Sequence, residues 1–550
     1  MAIVKGETSG EIYKSPFSAE FLKTTYNSES RVQEYLPIAE RGYLSMTDGA
    51  SFSYDGNVTL NYNTLVNEKH IIYAGAGLEV TQNDNNSHGF IMTGFPDDRY
   101  SDPAFAIQYK KETKPSSSES KSRAIGFFAN GNYSYDDRYF ADVSVRIDGS
   151  SKFGADKKYA PFWSAGAGWN VHNEKFFKHT KISMLKLRYS YGVTGNQEFS
   201  AYQAKTMFQF NTDRLYNSGI SAALMGYGNP DLEWQNQYQS NYGFDFGYAK
   251  DRIRLQFNYY QKKTEGMLTS VSVAPSLGLP SNTFTSNLGK IQNKGVEVNL
   301  NAVLIRDQGK DFEWSVMLQA AHNKNKIMEI STALKNINEK NNQDKTTPAA
   351  VYEEGESMSA IKAVPSLGID PTTGQELFMK KDGTITYTWD ATDKVICGDS
   401  EPKVFGNVGT NLYWKGWNLN MVFKYDLGAD YYNSTLAERV EGANPRYNAD
   451  RRVLNNRWKE PGQHALYKNI KEYTTTYISS RFVQKENTLQ LTSLSLSYDL
   501  NREWIRKFGL NTMRLSFYMN DVFRASTVKN ERGLDYPFQR SFVFGLNIGF

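Results

Sequence analysis

Tyr139-Phe-Ala-Asp-Val-Ser-Val-Arg-Ile147 alternates strictly. Tyr139, Ala141, Val143, Val145 and Ile147 fall on one side, and Phe140, Asp142, Ser144 and Arg146 on the other. Consecutive side chains of an extended chain point to opposite faces, so this stretch reads as a strand with one apolar and one largely polar face. Working outward, Asp136-Asp137 is a short turn, and 122–135 reads as the other arm of a hairpin. The alternation returns in Leu185, Leu187, Tyr189 and Tyr191; in Ile253, Leu255, Phe257 and Tyr259; and in Phe312, Trp314, Val316, Leu318 and Ala320. It returns again in Trp417, Leu419, Met421, Phe423 and Tyr425, in Met513, Leu515, Phe517 and Met519, and in the final Phe542, Phe544, Leu546, Ile548 and Phe550.

The period predicts fifteen strands, near 54–66, 69–81, 122–135, 138–149, 159–172, 183–193, 234–249, 252–264, 290–305, 311–325, 403–414, 417–428, 488–499, 511–522 and 540–550. Many run well past the usual strand of about 5–6 residues, and a tilted membrane-crossing strand needs about 9–11. The links alternate. Asn67-Glu68, Asp136-Asp137, Lys250-Asp251 and Lys415-Gly416 are very short, whereas 82–121, 194–233, 265–289, 326–402 and 429–487 are long; 150–158 departs from the rule. Short turns on one side and long loops on the other are expected of an up-and-down outer-membrane barrel, and a soluble sandwich has no reason for them. The predicted fold is therefore an all-β, transmembrane antiparallel β-barrel.

Composition agrees. Hydrophobic residues make up only 39% of the 550, yet aromatics reach 14%, with 36 Tyr and 32 Phe. A barrel wall needs an apolar residue only at every second position, and aromatics girdle both membrane boundaries. The net charge of +4, from 63 basic and 59 acidic residues without long like-charge runs, gives no sign of nucleic-acid binding. A single cysteine, Cys397, excludes an internal disulfide framework, and no apolar run is long enough for a transmembrane helix. Single-chain bacterial barrels have even strand numbers, and an open edge is not tolerated in lipid. The odd count, and a start at Met1-Ala-Ile-Val-Lys-Gly-Glu without a basic segment and apolar core, predict that an amino-terminal part lies outside this sequence.

Several stretches resemble the SusC/RagA family of TonB-linked outer-membrane proteins. They are Asn132-Tyr-Ser-Tyr-Asp-Asp-Arg-Tyr139, Arg146-Ile-Asp-Gly-Ser-Ser-Lys-Phe-Gly154, Gly168-Trp169 with Glu174-Lys-Phe-Phe177, Leu185-Lys-Leu-Arg188, Ser190-Tyr-Gly192 and Thr194-Gly-Asn-Gln197. Asn229-Pro-Asp-Leu-Glu-Trp234, Asn293-Lys-Gly-Val-Glu297 and Gly398-Asp-Ser-Glu-Pro-Lys403 follow in the family's order. The resemblance covers roughly residues 120 to 550. It implies a 22-stranded barrel, the size of transporters with a plugged lumen, of which these strands would be the eighth to the last. Residues 1–53 would be a remnant of an extracellular loop or preceding strand, and 54–550 the carboxy-terminal portion of the barrel. The family's plug and TonB-engaging motif are not found in the sequence. The resemblance further implies uptake of large nutrients, chiefly oligosaccharides and in some members peptides. It implies a SusD-like surface lipoprotein over the outer mouth, energy from TonB–ExbB–ExbD through the missing amino-terminal region, and contact with membrane lipid.

Candidate sites follow from the long loops, which carry function on rigid scaffolds. Tyr387 and Trp389 in Thr384-Ile-Thr-Tyr-Thr-Trp389, and Arg446, Tyr447 and Trp458 in a later loop, offer aromatics and a cation for stacking on sugar rings; loop packing is the plainer role for each. Phe542, Phe544, Leu546, Ile548 and Phe550 resemble the terminal signal read by barrel-assembly machinery, as well as an ordinary lipid-facing row. Arg146, Arg188, Arg254 and Arg514 are expected on the lumen face. Asp370-Pro-Thr-Thr-Gly374 lacks the repeated acidic ligands of a calcium loop and reads as a turn. The six histidines form no His-Glu-x-x-His pair, Gly398-Asp-Ser400 has no helix after it, and no Ser-His-carboxylate set is evident. No cofactor, metal or enzymatic activity is predicted. A passive porin or adhesin barrel is the competing reading.

Overall fold

The computed structural model describes all residues except 1, 23, 28–31, 100, 155–156, 178–180, 197–200, 217–218, 273–282, 288, 331–334, 336–337, 340, 347, 445–449, 472–474, 508 and 530–538. Sixteen long strands form one wall: β1 (Ala2–Lys14), β2 (Tyr43–Val66), β3 (His70–Thr93), β4 (Ser116–Tyr135), β5 (Tyr139–Ser150), β6 (Tyr159–Asn170), β7 (Ile182–Asn196) and β8 (Gln235–Tyr248). It continues through β9 (Ile253–Glu265), β10 (Lys290–Asp307), β11 (Phe312–Glu329), β12 (Val404–Trp414), β13 (Trp417–Tyr432), β14 (Val483–Asp499), β15 (Thr512–Ser526) and β16 (Phe542–Gly549). Each pairs antiparallel with the next in chain order. The two-residue strand Gln108–Tyr109 adds to the end of β3. Among the described residues no register joins β16 to β1, so the wall is an open sheet with these two strands as its edges.

All fifteen expected strands are present. The structure adds β1 and extends β2 and β3 to 24 residues each, so the expected boundary between residues 53 and 54 falls inside a strand. The physical reason is that Gln82-Asn-Asp-Asn-Asn-Ser-His88 is polar on both faces. A strand with water on both sides loses its alternation and becomes invisible to a period-2 reading. At about 3.3 Å per residue, 24 residues span roughly 80 Å, far more than the crossing of about 9–11 residues. These strands therefore cross the bilayer and project well beyond it.

The short turns share one end of the wall. Asn67 and Glu68 have φ of 50° and 55°, Asp136 and Asp137 of 51° and 52°, and Lys415 and Gly416 of 46° and 87°. Two successive positive φ values are those of the type I′ turn, whose twist matches that of the strands it joins. The longest connections lie at the other end, where they carry small hairpins such as Thr24–Asn27 with Val32–Tyr35 and Met207–Tyr216 with Gly219–Gly226.

The two faces differ as the alternation requires. Val143, Val145, Ile147, Leu187, Tyr189, Phe544 and Leu546 are exposed, and among the described residues no second sheet covers them. Aromatic pairs belong to the same face. Near the short turns lie Tyr139 over Trp169, at 6.3 Å between ring centroids, and Trp417 against Tyr498, at 4.6 Å. Toward the long loops lies the row Tyr189–Tyr242–Tyr259, at 4.8 and 6.2 Å. Aromatic side chains on the lipid-facing side are in keeping with a membrane barrel wall.

Candidate functional site: a folded dome beside a polar wall

The opposite face of the wall is charged but internally paired. Arg188 donates to Asp245 at 3.0 and 2.8 Å and to Asn258 at 3.0 Å. Arg146 bonds Glu79 at 2.8 Å and also Asp148. Arg514 bonds Asp499 at 2.5 and 2.8 Å, and Arg254 bonds Asp251 at 2.7 Å. All four arginines singled out from sequence thus lie on the polar face, each with its charge already met by a carboxylate. This face keeps a watery lumen solvated and presents these arginines already bound to carboxylates, not as free anion sites.

The family-like motifs of β5–β8 meet in a clamp at the long-loop end. Phe153 stacks on Trp234 at 4.3 Å, and Phe162 packs edge-on to the same indole at 5.4 Å. Gly154 donates its N–H to Leu232, and a Cβ there would stand 1.7 Å from the Pro230 carbonyl oxygen. Only glycine allows the two backbones to approach so closely. Residues 146–154 and 229–234, far apart in sequence, are therefore two halves of one contact.

The most elaborate structure lies in the connections from β11 to β12 and from β13 to β14. Here Val364, Ile369, Phe378, Ala437, Val440, Val453, Ile478 and Phe482 are buried, and loops with a core of this size amount to a small folded dome. The strands Ala360–Ala363 and Val395–Asp399 pair, as do Ser366–Ile369 and Glu376–Met379. Ser480 joins the two connections by donating its N–H to Val364 at 2.9 Å.

Arg481 is the hub. It donates to Glu441 at 2.5 and 2.8 Å and to Glu376 at 3.2 and 2.8 Å, and its guanidinium lies 4.5 Å over the Phe482 ring. Burial disfavours its charge, but the hydrogen bonds and charges of the two glutamates outweigh burial and hold its pKa above the ordinary arginine value. Arg457, also buried, donates to the carbonyls of Val453 (2.6 Å), Lys468 (3.1 Å), Glu441 (2.9 Å) and Val440. It satisfies backbone oxygens that the irregular chain would otherwise strand.

Three of the predicted ligand residues belong to this dome. Tyr387 is exposed along its ring and donates its hydroxyl to Asp370 at 2.6 Å. Trp389 stacks on Tyr477 at 5.2 Å, bonds the Ile478 carbonyl at 2.9 Å, and has the Lys394 ammonium 5.6 Å from its ring. Trp458 lies over Gly374 and bonds the Pro371 carbonyl at 2.8 Å. The Asp370–Gly374 segment is a turn, with Gly374 donating to the Asp370 carbonyl at 2.8 Å. The Tyr387 hydroxyl foremost, then the Thr372 N–H and the Thr372 and Thr373 hydroxyls, hold the Asp370 carboxyl below the usual carboxylate range. Arg446 and Tyr447 lie outside the described residues. Phe542, Phe544, Leu546 and Ile548 line the exposed apolar face of β16, and Phe550 follows it, also exposed.

Sequence reading missed Arg481, Glu376, Glu441 and Arg457. The partners of Arg481 lie 105 and 40 residues away, and a lone charge in an aperiodic loop carries no local sign of such a role.

A family model for the TonB-dependent receptor-like β-barrel matches residues 13–522. TonB-dependent receptor P3 of Formosa agariphila is 28% identical over 80% of this chain and 46% of its own length. TonB-dependent receptor SusC of Bacteroides thetaiotaomicron is 23% identical over 91% of this chain and 51% of its own. The chain thus spans about half the length of the curated relatives it matches. Among solved structures, that of the RagAB peptide transporter superposes with a TM-score of 0.81 at 22% identity, over 92% of this chain and 56% of the other.

Proposed function

The chain belongs to the family of TonB-dependent receptor-like β-barrels of the Gram-negative outer membrane, and on that premise we propose that it forms the carboxy-terminal wall and outer dome of a receptor that imports large nutrients, oligosaccharides first among them. The observation that carries this reading is the dome. A rigid, cross-braced cap stands where the longest loops meet the polar face of the wall, which suits capture at a mouth better than free diffusion through a pore. The similarity to TonB-dependent receptor P3 and to TonB-dependent receptor SusC supports a receptor of this class.

The wall has two open edges, and unpaired strand edges cost several kcal/mol per unsatisfied group in lipid. The working protein therefore closes its wall with strands beyond the sixteen seen, as a 22-stranded barrel would. A plug and TonB contact are assigned to that same additional region, and a SusD-like lipoprotein to the outer mouth. Tyr387, Trp389, Trp458, Arg446 and Tyr447 are assigned to ligand contact. Tyr387 is the best placed, because its hydroxyl is anchored while its ring remains open. The β16 row, with Phe550, is assigned to recognition by the assembly machinery.

A peptide cargo is the second reading, favoured by the similarity to a structure described as a peptide transporter. The test is uptake of labelled oligosaccharides and labelled oligopeptides by cells lacking the full-length receptor and by cells complemented with it. Receptor-dependent oligosaccharide uptake that stops when the proton gradient is collapsed is expected. Uptake of peptide alone selects the second reading. Uptake that survives loss of the gradient overturns energised import in favour of a passive pore.

A further inference from the structure

We propose that Lys294, Lys324 and Lys326, on the lipid-facing side of the wall, form a docking patch for the phosphate groups of the outer-leaflet membrane glycolipid. The argument starts from register. On the apolar face, Tyr259 stands opposite Val296, and Val296 opposite His322. One rung toward the long loops the row is Gln261–Lys294–Lys324, and the next is Lys263–Gln292–Lys326. Two residues along a strand are about 7 Å, so both rows stand within roughly 14 Å of the last apolar rung, at headgroup level.

Lys294 and Lys324 face each other directly, and like charges in that position destabilise a sheet. A merely solvated face would mix its signs, as the rung above does. There Glu265 faces Lys290 and Lys290 faces Glu329, with ion pairs of 2.7 Å from Lys263 to Glu265 and 2.6 Å from Lys290 to Glu329. Lys294, Lys324 and Lys326 are exposed, and among the described residues none has a carboxylate within ion-pair distance.

The acids beside the patch are engaged elsewhere. Glu401 accepts from the Asn323 and Asn325 amides at 2.5 and 2.7 Å on the other face, and Asp430 pairs with Lys485 at 2.7 Å. Three unneutralised ammonium groups, flanked by the amides of Gln261 and Gln292, thus sit where a phosphorylated sugar headgroup passes. An anionic lipid turns the repulsion between Lys294 and Lys324 into shared attraction.

Binding is read by native mass spectrometry of the full-length receptor in detergent with bisphosphorylated lipid A, with its dephosphorylated form, and with inorganic phosphate as competitor. The wild type and the charge-preserving K294R/K324R/K326R variant should retain the phosphorylated glycolipid. K294Q/K324Q/K326Q should bind it at least about tenfold more weakly, and K324Q alone about fivefold. Undiminished binding by the glutamine variants overturns the proposal. So does equal binding of dephosphorylated lipid. Displacement by inorganic phosphate alone at equal concentration would make the patch a free-anion site and overturn the lipid assignment. Heat-modifiable migration on gels identifies folded barrels, and the single variant keeps the comparison open if the triple one does not fold.

Discussion

In the wall, Val143, Leu187 and Phe544 stand open to their surroundings, while Arg146, Arg188, Arg254 and Arg514 on the other face are each tied to a carboxylate. In the dome, Val364, Val440, Ile478 and Phe482 are sealed from any solvent, and a charged hub lies buried among them. The difference lies in what completes each part. A membrane wall borrows its hydrophobic core from lipid, so it needs alternation but no second layer. The dome stands in water and must build its own core from distant segments, like a small soluble domain.

The sharpest way to break this contrast is to remove the hub. Arg481→Ala leaves Glu376 buried without its cation and Glu441 with only the Lys468 ammonium at 3.9 Å, a change that costs about 3–5 kcal/mol. Limited proteolysis should cut between residues 433 and 482 while the heat-modifiable barrel survives. Loss of the barrel as well would show that dome and wall are one cooperative unit.

A pair of neighbouring substitutions tests the wall. Val143→Arg, on the apolar face, should cost about 2–4 kcal/mol in bilayer folding titrations. Ser144→Arg, one residue on and on the polar face, should stay within about 0.5 kcal/mol. Equal costs would mean that both faces meet the same medium. At the short-turn end, Gly416→Ala meets a φ of 87° and the Asp499 carbonyl 2.7 Å from the new Cβ. It should lower stability by about 1 kcal/mol in the same titration.

The smallest effect concerns acid. Asp370 titrates below its unfolded value, so its contribution is complete above the ordinary carboxylate pKa and fades as pH falls through the lower, folded one. Protease resistance of the dome should therefore decline below about pH 4 in the wild type. In Asp370→Asn that part of the acid dependence should be absent. An unchanged acid profile would place the sensitivity elsewhere.

How much of this is visible in the sequence depends on the surrounding medium. Every strand whose two faces meet different media announces itself, as in Tyr139–Ile147. Ala2–Lys14 and the upper halves of β2 and β3 do not, because water on both sides removes the pressure to alternate. The aromatics at 387, 389 and 458 were visible as residues, but the partners Asp370, Tyr477 and Gly374 were not. The resemblance in residues 146–154 and 229–234 marked both stretches without revealing that Phe153 and Trp234 stack.

The sequence by itself determined the wall: its period, its short turns, its two faces and its family. Tertiary structure alone decided which charges are neutralised, which loops share a core, and that Lys294 faces Lys324. The physical reason is range. Alternation and turn chemistry act over a few residues, whereas register, ion pairing and burial join groups that the chain separates by tens to a hundred positions.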